Sequence, residues 1–170
     1  MAYVDTSAII SRYIPTDPMH KFSDKFFSKK GRSLYITPLG LTEMHSVFSR
    51  VIEQISLPEE VKITDPVTIS TLVNFAIKHC NLAVVSVPYT VNAQIGNIAI
   101  RAPIEQVLSY SLAAVLKLRT LDLLHIALCQ VLKMEQKVDL FVTIDDGIYS
   151  KREVIHEETG VKVKHLKEMR

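Results

Sequence analysis

The chain has 170 residues, of which 48% are hydrophobic and 22% are charged, and its formal net charge is +2. This length suits one domain with a substantial core, and the hydrophobic content excludes an intrinsically disordered chain. The small net charge excludes a strongly basic protein, so affinity for nucleic acid would have to come from local patches of charge.

The sequence predicts no targeting segment and no membrane contact. Asp5 interrupts the N-terminal region before an apolar signal core can form, and no apolar run is long enough to cross a bilayer. Cys80 and Cys129 are isolated and fit reduced thiols, with a single disulfide between them left open. We therefore expect a cytoplasmic protein.

Short β-prone runs alternate with amphipathic helical patterns along the chain. The predicted strands lie at 2–5, 34–37, 82–87, 139–144 and 161–165. The predicted helices lie at 8–14, 19–30, 38–55, 67–79, 103–117, 121–134 and 148–157. This order predicts a three-layer α/β/α sandwich around a mostly parallel sheet of about five strands.

The segment 57–104 is unusual within this pattern. The run at 82–87 is continuously apolar, which predicts a strand buried on both faces. Gly96 and several amide side chains at 89–101 predict a loop or a broken helix. We expect a single domain over 1–170 with a longer helical insertion around 57–104.

Four carboxylates lie where an α/β fold would bring them together. Asp5 and Asp145 each follow an apolar strand, and ligands bind at the carboxyl ends of parallel strands. Glu43 and Asp122 lie near the starts of two predicted helices, which share that edge of the sheet. Ordinary explanations stay open. Asp5 and Asp145 could cap helices, Asp122 could complement a helix dipole, and Glu43 could be a surface residue.

Several carboxylates held close together repel one another and raise their own pKa values. A hard divalent cation relieves this repulsion, and Mg²⁺ binds carboxylate oxygens together with water and phosphate oxygens. Hydrolysis of a phosphodiester needs such a site, because the metal activates water and stabilises the developing negative charge. No Gly-rich phosphate-binding loop is present, which argues against a kinase or a dinucleotide enzyme.

Four motifs, at 3–7, 42–44 with Thr37 before it, 121–127 and 141–145, resemble in order and spacing those of PIN-domain ribonucleases. The resemblance extends from Tyr3 to about Tyr149. It implies that four acids bind Mg²⁺ or Mn²⁺ and that the protein cuts RNA. Carried over to this sequence, those catalytic and metal-binding acids are Asp5, Glu43, Asp122 and Asp145.

Other residues near these acids are predicted to support them. Thr143, with Thr6 or Ser7, resembles the hydroxyl positions that hold the carboxylates. Asp146 is an additional acid that we do not expect to be a first metal ligand. His125 shares a helix face with Asp122. We expect a hydrogen-bonding role for His125, while a transition-metal pair with Asp122 stays open.

Compact PIN-domain proteins of the VapC type are toxins of toxin–antitoxin modules. The resemblance therefore implies a small protein antitoxin as a partner and a homodimer, although the segment 57–104 is longer than in compact toxins. The alternative is a non-catalytic PIN-like subunit for RNA binding or assembly. A dehalogenase-like hydrolase with Asp5 as nucleophile would need a second acid where Ser7 stands.

Several basic side chains are candidates for contacts with RNA. They occur in the second predicted helix, late in the third, and just after the last acidic motif: Lys21, Lys25, Arg50, Lys151 and Arg152. Each of them is also compatible with an ordinary solvated surface charge.

Overall fold

The computed structural model describes residues 1–29, 31–55 and 66–169. The strands are β1 (Ala2–Val4), β2 (Leu34–Ile36), β3 (Leu82–Val84), β4 (Thr90–Ile95), β5 (Ile98–Pro103), β6 (Leu140–Thr143) and β7 (Lys162–His165). The helices are α1 (Thr6–Ile10), α2 (His20–Phe27), α3 (Pro38–Val51), α4 (Pro66–His79), α5 (Ile104–Leu116), α6 (Thr120–Met134), α7 (Asp146–Ser150) and α8 (Arg152–Thr159).

Five strands form a parallel sheet in the order β3-β2-β1-β6-β7. The central strand, β1, is apolar and buried at every position, as expected of a parallel strand covered on both faces. Parallel neighbours require crossover connections, and helices supply them here. The mostly parallel α/β sheet predicted from the alternating pattern is therefore confirmed.

The side chains of β1 alternate between two hydrophobic cores, one on each face of the sheet. Ala2 and Val4 pack into the core that α1 to α4 cover, together with Met44 and Leu72. Tyr3 points to the opposite face and packs into the core beneath α5, α6 and α8. The three layers are thus helices, sheet and helices.

Part of the segment 57–104 differs from the prediction. Helix α4 matches the predicted helix, and residues 57–65 lie outside the described residues. The loop or broken helix expected at 89–101 is wrong, because β4 and β5 form an antiparallel hairpin there. Gly96, with a φ of 58°, and Asn97 make the two-residue turn between the strands. A glycine at the first central position permits this tight turn.

Two other predicted elements also need correction. The run at 82–87 is not a strand buried on both faces, because β3 is short and pairs within the described residues only with β2 at the edge of the sheet. Ala83 and Val84 are consequently exposed. The single helix expected at 148–157 is divided at Lys151 into α7 and α8.

The two cysteines lie in different cores. Cys80 belongs to the core under α1 to α4 and Cys129 to the core under α5, α6 and α8, so the sheet separates the two thiols. Both are unpaired, and the disulfide that the sequence left open does not form. Over the described ranges, no helix combines the length and hydrophobicity needed to cross a bilayer.

Gly40, near the start of α3, lies against the side chain of Ile36 at the end of β2. A Cβ atom at this position would be 2.6 Å from Cγ1 of the fully buried Ile36 and 3.3 Å from Oγ1 of Thr6. We expect Gly40→Ala to lower the free energy of unfolding by about 1–3 kcal/mol, because overpacking forces buried side chains from their rotamers. Urea unfolding measures the change. Ser46→Ala, at an exposed position of the same helix, is the control, and equal stability of the two variants would contradict the prediction.

Candidate metal centre and active site

Asp5 lies at the carboxyl end of β1, directly before α1. It occupies the N-cap position, yet its side chain makes no capping hydrogen bond. Its Oδ2 atom instead accepts hydrogen bonds from Ser7 Oγ at 2.6 Å and from Thr143 Oγ1 at 2.7 Å. The residue is only 6% exposed. The carboxylate is therefore held in one orientation at the edge of the sheet rather than used to cap the helix.

The surroundings of Asp5 disfavour its negative charge. Burial raises the pKa of the Asp5 carboxyl above its ordinary value, and the nearby charge of Glu43 raises it further. His125 and the two hydroxyl donors oppose this shift without cancelling it. A cation bound here would stabilise the ionised form of Asp5.

Glu43, on α3, meets His125, on α6, at the same edge of the sheet. Glu43 Oε2 is 3.0 Å from His125 Nε2. His125 Nδ1 is 2.6 Å from the Tyr3 hydroxyl, which is 3.0 Å from Thr37 Oγ1. These distances are compatible with neutral His125, for which Thr37 donates to Tyr3, Tyr3 to Nδ1, and Nε2–H to the carboxylate. A buried chain of hydrogen bonds thus orients Glu43.

Glu43 remains negatively charged at neutral pH in spite of its partial burial. Burial alone would raise its pKa, but the hydrogen bond with His125, the proximity of Thr6 and the positive charge of Arg119 together lower the pKa. The site therefore combines an ionised glutamate with an aspartate whose ionisation is disfavoured.

Three potential ligand groups converge at this point. One ligand atom from each of Asp5, Glu43 and His125 lies within 4.8 Å of the other two. The Thr6 hydroxyl is buried beside them and makes no hydrogen bond of regular geometry with the described residues. It lies close enough to Glu43 to help lower the pKa of that carboxylate. Carboxylate oxygens are the ligands that a hard divalent cation prefers, so the residues present fit such an ion.

The two remaining acids form a second group, joined by Arg119. Arg119 Nε is 3.0 Å from Asp122 Oδ2, and Arg119 Nη2 is 3.0 Å from Asp145 Oδ2. Asp145 also caps α7, because its Oδ1 accepts hydrogen bonds from the N–H groups of Gly147 at 2.7 Å and Ile148 at 3.1 Å. The helix-capping role expected for Asp145 therefore accounts for its Oδ1 atom, while its Oδ2 atom pairs with Arg119.

Thr143 connects the two groups of acids. Its hydroxyl donates to Asp5 and accepts a hydrogen bond from the N–H group of Asp145 at 2.9 Å. The N–H group of Asp5 in turn donates to the carbonyl oxygen of Val142 at 2.9 Å. The ends of β1 and β6 therefore place Asp5 and Asp145 side by side.

Comparison with known protein families matches most of the chain to one family. Residues 2–154 match the PIN domain, a stretch that includes both groups of acids. The chain belongs to the PIN domain family. Members of this family are generally nucleases that hydrolyse phosphodiester bonds, and they typically use divalent metals. A search of curated proteins gives no significant match to this PIN domain.

The other residues singled out in the sequence are exposed or partly exposed on the PIN domain. Asp146 is exposed at the start of α7, and its Oδ1 is 3.7 Å from Nε2 of His165. The basic candidates lie on α2, on α3 and at the junction of α7 and α8. Among the described residues, none of these candidates forms an ion pair with the four acids: Lys21, Lys25, Arg50, Lys151 and Arg152.

Sequence reasoning missed the hydroxyl of Tyr3 and the guanidinium of Arg119. A signal existed for Tyr3, because a tyrosine within a short buried strand needs a hydrogen-bond partner for its hydroxyl. A weaker signal existed for Arg119, which precedes Asp122 by three residues at the start of α6.

Replacing Asp5 by Asn tests the buried charge in metal-free protein. Asn keeps an oxygen acceptor for Ser7 and Thr143 but cannot ionise. Because the folded-state pKa of Asp5 is raised, ionisation of Asp5 lowers stability as the pH rises through that pKa. We expect Asp5→Asn to raise the melting temperature in EDTA at neutral pH. This gain should vanish below about pH 3, where Asp5 is neutral in folded and unfolded chains.

Thermal unfolding of the two proteins at both pH values measures this difference. Asp17→Asn, in the turn before α2, is the matched control and should unfold like the wild type at either pH. A lower melting temperature for Asp5→Asn at neutral pH would contradict the assigned environment of Asp5.

Proposed function

We propose that this PIN domain is a metal-dependent endoribonuclease that hydrolyses phosphodiester bonds of RNA at the acidic edge of its sheet. The observation that carries the proposal is the convergence of Asp5, Glu43 and His125 within 4.8 Å of one another. Asp122 and Asp145 lie at the same edge, paired with Arg119. Like charges repel one another, so packing alone gives no reason to collect these acids, whereas binding a cation does.

The residues proposed to hold Mg²⁺ or Mn²⁺ are Asp5, Glu43, Asp122 and Asp145. Asp5 is the first candidate because it is buried and rigidly oriented, and Glu43 is already ionised at neutral pH. When bound, the metal supplies an activated water and stabilises negative charge on the attacked phosphate. The exposed Asp146 is not proposed as a ligand.

His125 is proposed as a positioning residue rather than a metal ligand. Its two ring nitrogens already have partners, the Tyr3 hydroxyl at Nδ1 and Glu43 at Nε2. Hydrogen bonds of this kind fix the orientation of a ligand carboxylate. Ser7 and Thr143 have the same role for Asp5. An Asp122–His125 transition-metal pair is disfavoured, because His125 has no free nitrogen.

RNA would approach the exposed side of this edge. Lys151 and Arg152 directly follow α7, the helix that Asp145 caps, and are proposed to contact the RNA backbone near the acids. More distant contacts along the RNA strand are proposed for Lys21 and Lys25 on α2 and for Arg50 at the end of α3.

The proposal extends to the biological setting of a toxin in a toxin–antitoxin module. Such a protein would act in the cytoplasm as a homodimer and be inhibited by a small protein antitoxin. Support comes from the PIN domain itself and from large apolar side chains exposed on β5 and α5. Ile98, Tyr110 and Val115 are 66%, 48% and 44% exposed, and a protein partner packed on β5 and α5 would bury them. The same exposed residues favour the alternative of a non-catalytic assembly subunit.

Cleavage of labelled single-stranded RNA distinguishes these functions. We expect cutting in Mg²⁺ or Mn²⁺ and none in EDTA. Asp5→Asn should lower the rate at least about 100-fold, a typical effect of losing one group that stabilises charge in the reaction. Asp17→Asn, purified identically, should cut like the wild type.

Full cleavage by Asp5→Asn, in preparations free of contaminating nuclease, would overturn the nuclease proposal. RNA binding that persists in EDTA, with no cleavage in any metal, would favour the non-catalytic subunit.

Metal binding can be measured separately from cleavage. Mn²⁺ should raise the melting temperature of the wild type, because a ligand bound only by the folded state stabilises it. Tyr3→Phe should weaken Mn²⁺ binding by about 10- to 100-fold, since it removes the hydroxyl that orients His125 and, through it, Glu43. Melting temperature as a function of Mn²⁺ concentration gives the affinity, and the exposed Tyr110→Phe is the matched control. Equal affinities in the two variants would contradict the positioning role.

A further inference from the structure

Arg119 is placed to act on the same acids as the proposed metal. We propose that its guanidinium occupies the cation position between Asp122 and Asp145 in the metal-free protein, that a divalent ion displaces it, and that the freed guanidinium then binds a phosphate of the RNA. This inference rests on the proposed function and adds a residue that neither the sequence motifs nor the family match assigns.

The contacts of Arg119 involve the oxygens that a metal would need. Nε is 3.0 Å from Asp122 Oδ2, and Nη2 is 3.5 Å from Asp122 Oδ1 and 3.0 Å from Asp145 Oδ2. One guanidinium therefore covers both oxygens of Asp122 and the free oxygen of Asp145. A divalent cation at these oxygens would repel the guanidinium, so the two positive groups compete for one place.

Little else holds Arg119 in this position. Its side chain is 78% exposed, against 15% for Asp122 and 31% for Asp145. Within the described residues, its side chain donates hydrogen bonds to these two aspartates alone. Exposed ion pairs contribute little stability. Displacement by a doubly charged ion is therefore favourable once the ion binds the acids.

The backbone allows the side chain to move without disturbing α6. Arg119 is the N-cap residue of α6 and has an extended conformation, with φ −67° and ψ 154°. Its side chain therefore departs from a loop rather than from a packed helical turn. Rotation about its side-chain bonds can take the guanidinium away from the acids while Asp122 stays fixed in the helix.

The displaced guanidinium has a suitable acceptor in the proposed substrate. Its planar set of donors matches two oxygens of a phosphate, which makes arginine a better bidentate phosphate ligand than lysine. Because Arg119 starts between two proposed metal ligands, a phosphate that it binds would lie next to the metal. Arg119 is thus a binding residue for a phosphate of the cleaved strand or an adjacent one.

Three variants test the inference, with Mn²⁺ binding measured by calorimetry and KM measured in RNA cleavage. Arg119→Gln removes the charge, and we expect about two- to fivefold tighter Mn²⁺ binding, the equivalent of one exposed ion pair, together with a raised KM. Arg119→Lys keeps the positive charge but lacks the planar pair of donors that binds two phosphate oxygens. Mn²⁺ affinity should therefore stay near the wild type while KM rises. Arg101→Gln, on the exposed hairpin, removes an equal charge and should change neither.

Each outcome decides the inference. Unchanged or weaker Mn²⁺ binding by Arg119→Gln, with a normal melting temperature, would overturn the competition and leave Arg119 as a structural contact. An unchanged KM in both Arg119 variants would overturn the phosphate contact. If the wild type binds no Mn²⁺, the proposed function fails as well, whereas metal binding by the wild type with no effect in the variants refutes the inference alone.

Discussion

The buried carboxylate of Asp5 is the constraint on which the acidic site depends. Ser7 and Thr143 both donate to its Oδ2 atom, and Oδ1 accepts no hydrogen bond from the described residues. The fold therefore fixes the orientation of Asp5 through one oxygen and leaves the other for a ligand. The arrangement destabilises the ionised carboxylate in the absence of a cation. Such local destabilisation is common where a protein prepares a group for binding rather than for packing.

The same central strand links the cores to the chemistry. Ala2 and Val4 are buried on one face of the sheet. Tyr3 is buried on the other face, where its hydroxyl is hydrogen-bonded to His125. His125, at the end of this chain of buried contacts, orients Glu43. The precision of the site is therefore a property of the packed sheet, and a change in the core under α6 would be felt at an ionised glutamate on α3.

The sheet could be predicted from the sequence, because strands and helices alternate along the chain. The positions of Asp5 and Asp145 could also be predicted, because each follows a β-prone run. The hairpin was predictable but was missed. Gly96-Asn97 between two strand-compatible runs is a known turn signal, but the amide side chains were interpreted as a loop. The pairing of Arg119 with Asp145 could not be predicted. It joins groups 26 residues apart in the chain, and no periodicity encodes which exposed side chains meet across a sheet edge.

The hydrogen bond between Asp5 and Thr143 spans 138 positions in the chain, and this separation affects how the protein is made. A ribosome completes β1 long before β6, and parallel pairing over such distances forms late. A nascent or prematurely terminated chain that lacks β6 has neither the Thr143 hydroxyl nor the Asp145 carboxylate. If the assembled edge cuts RNA, incomplete translation products cannot do so. The topology would then delay nuclease activity until Asp145, the last of the four proposed metal ligands, has been synthesised.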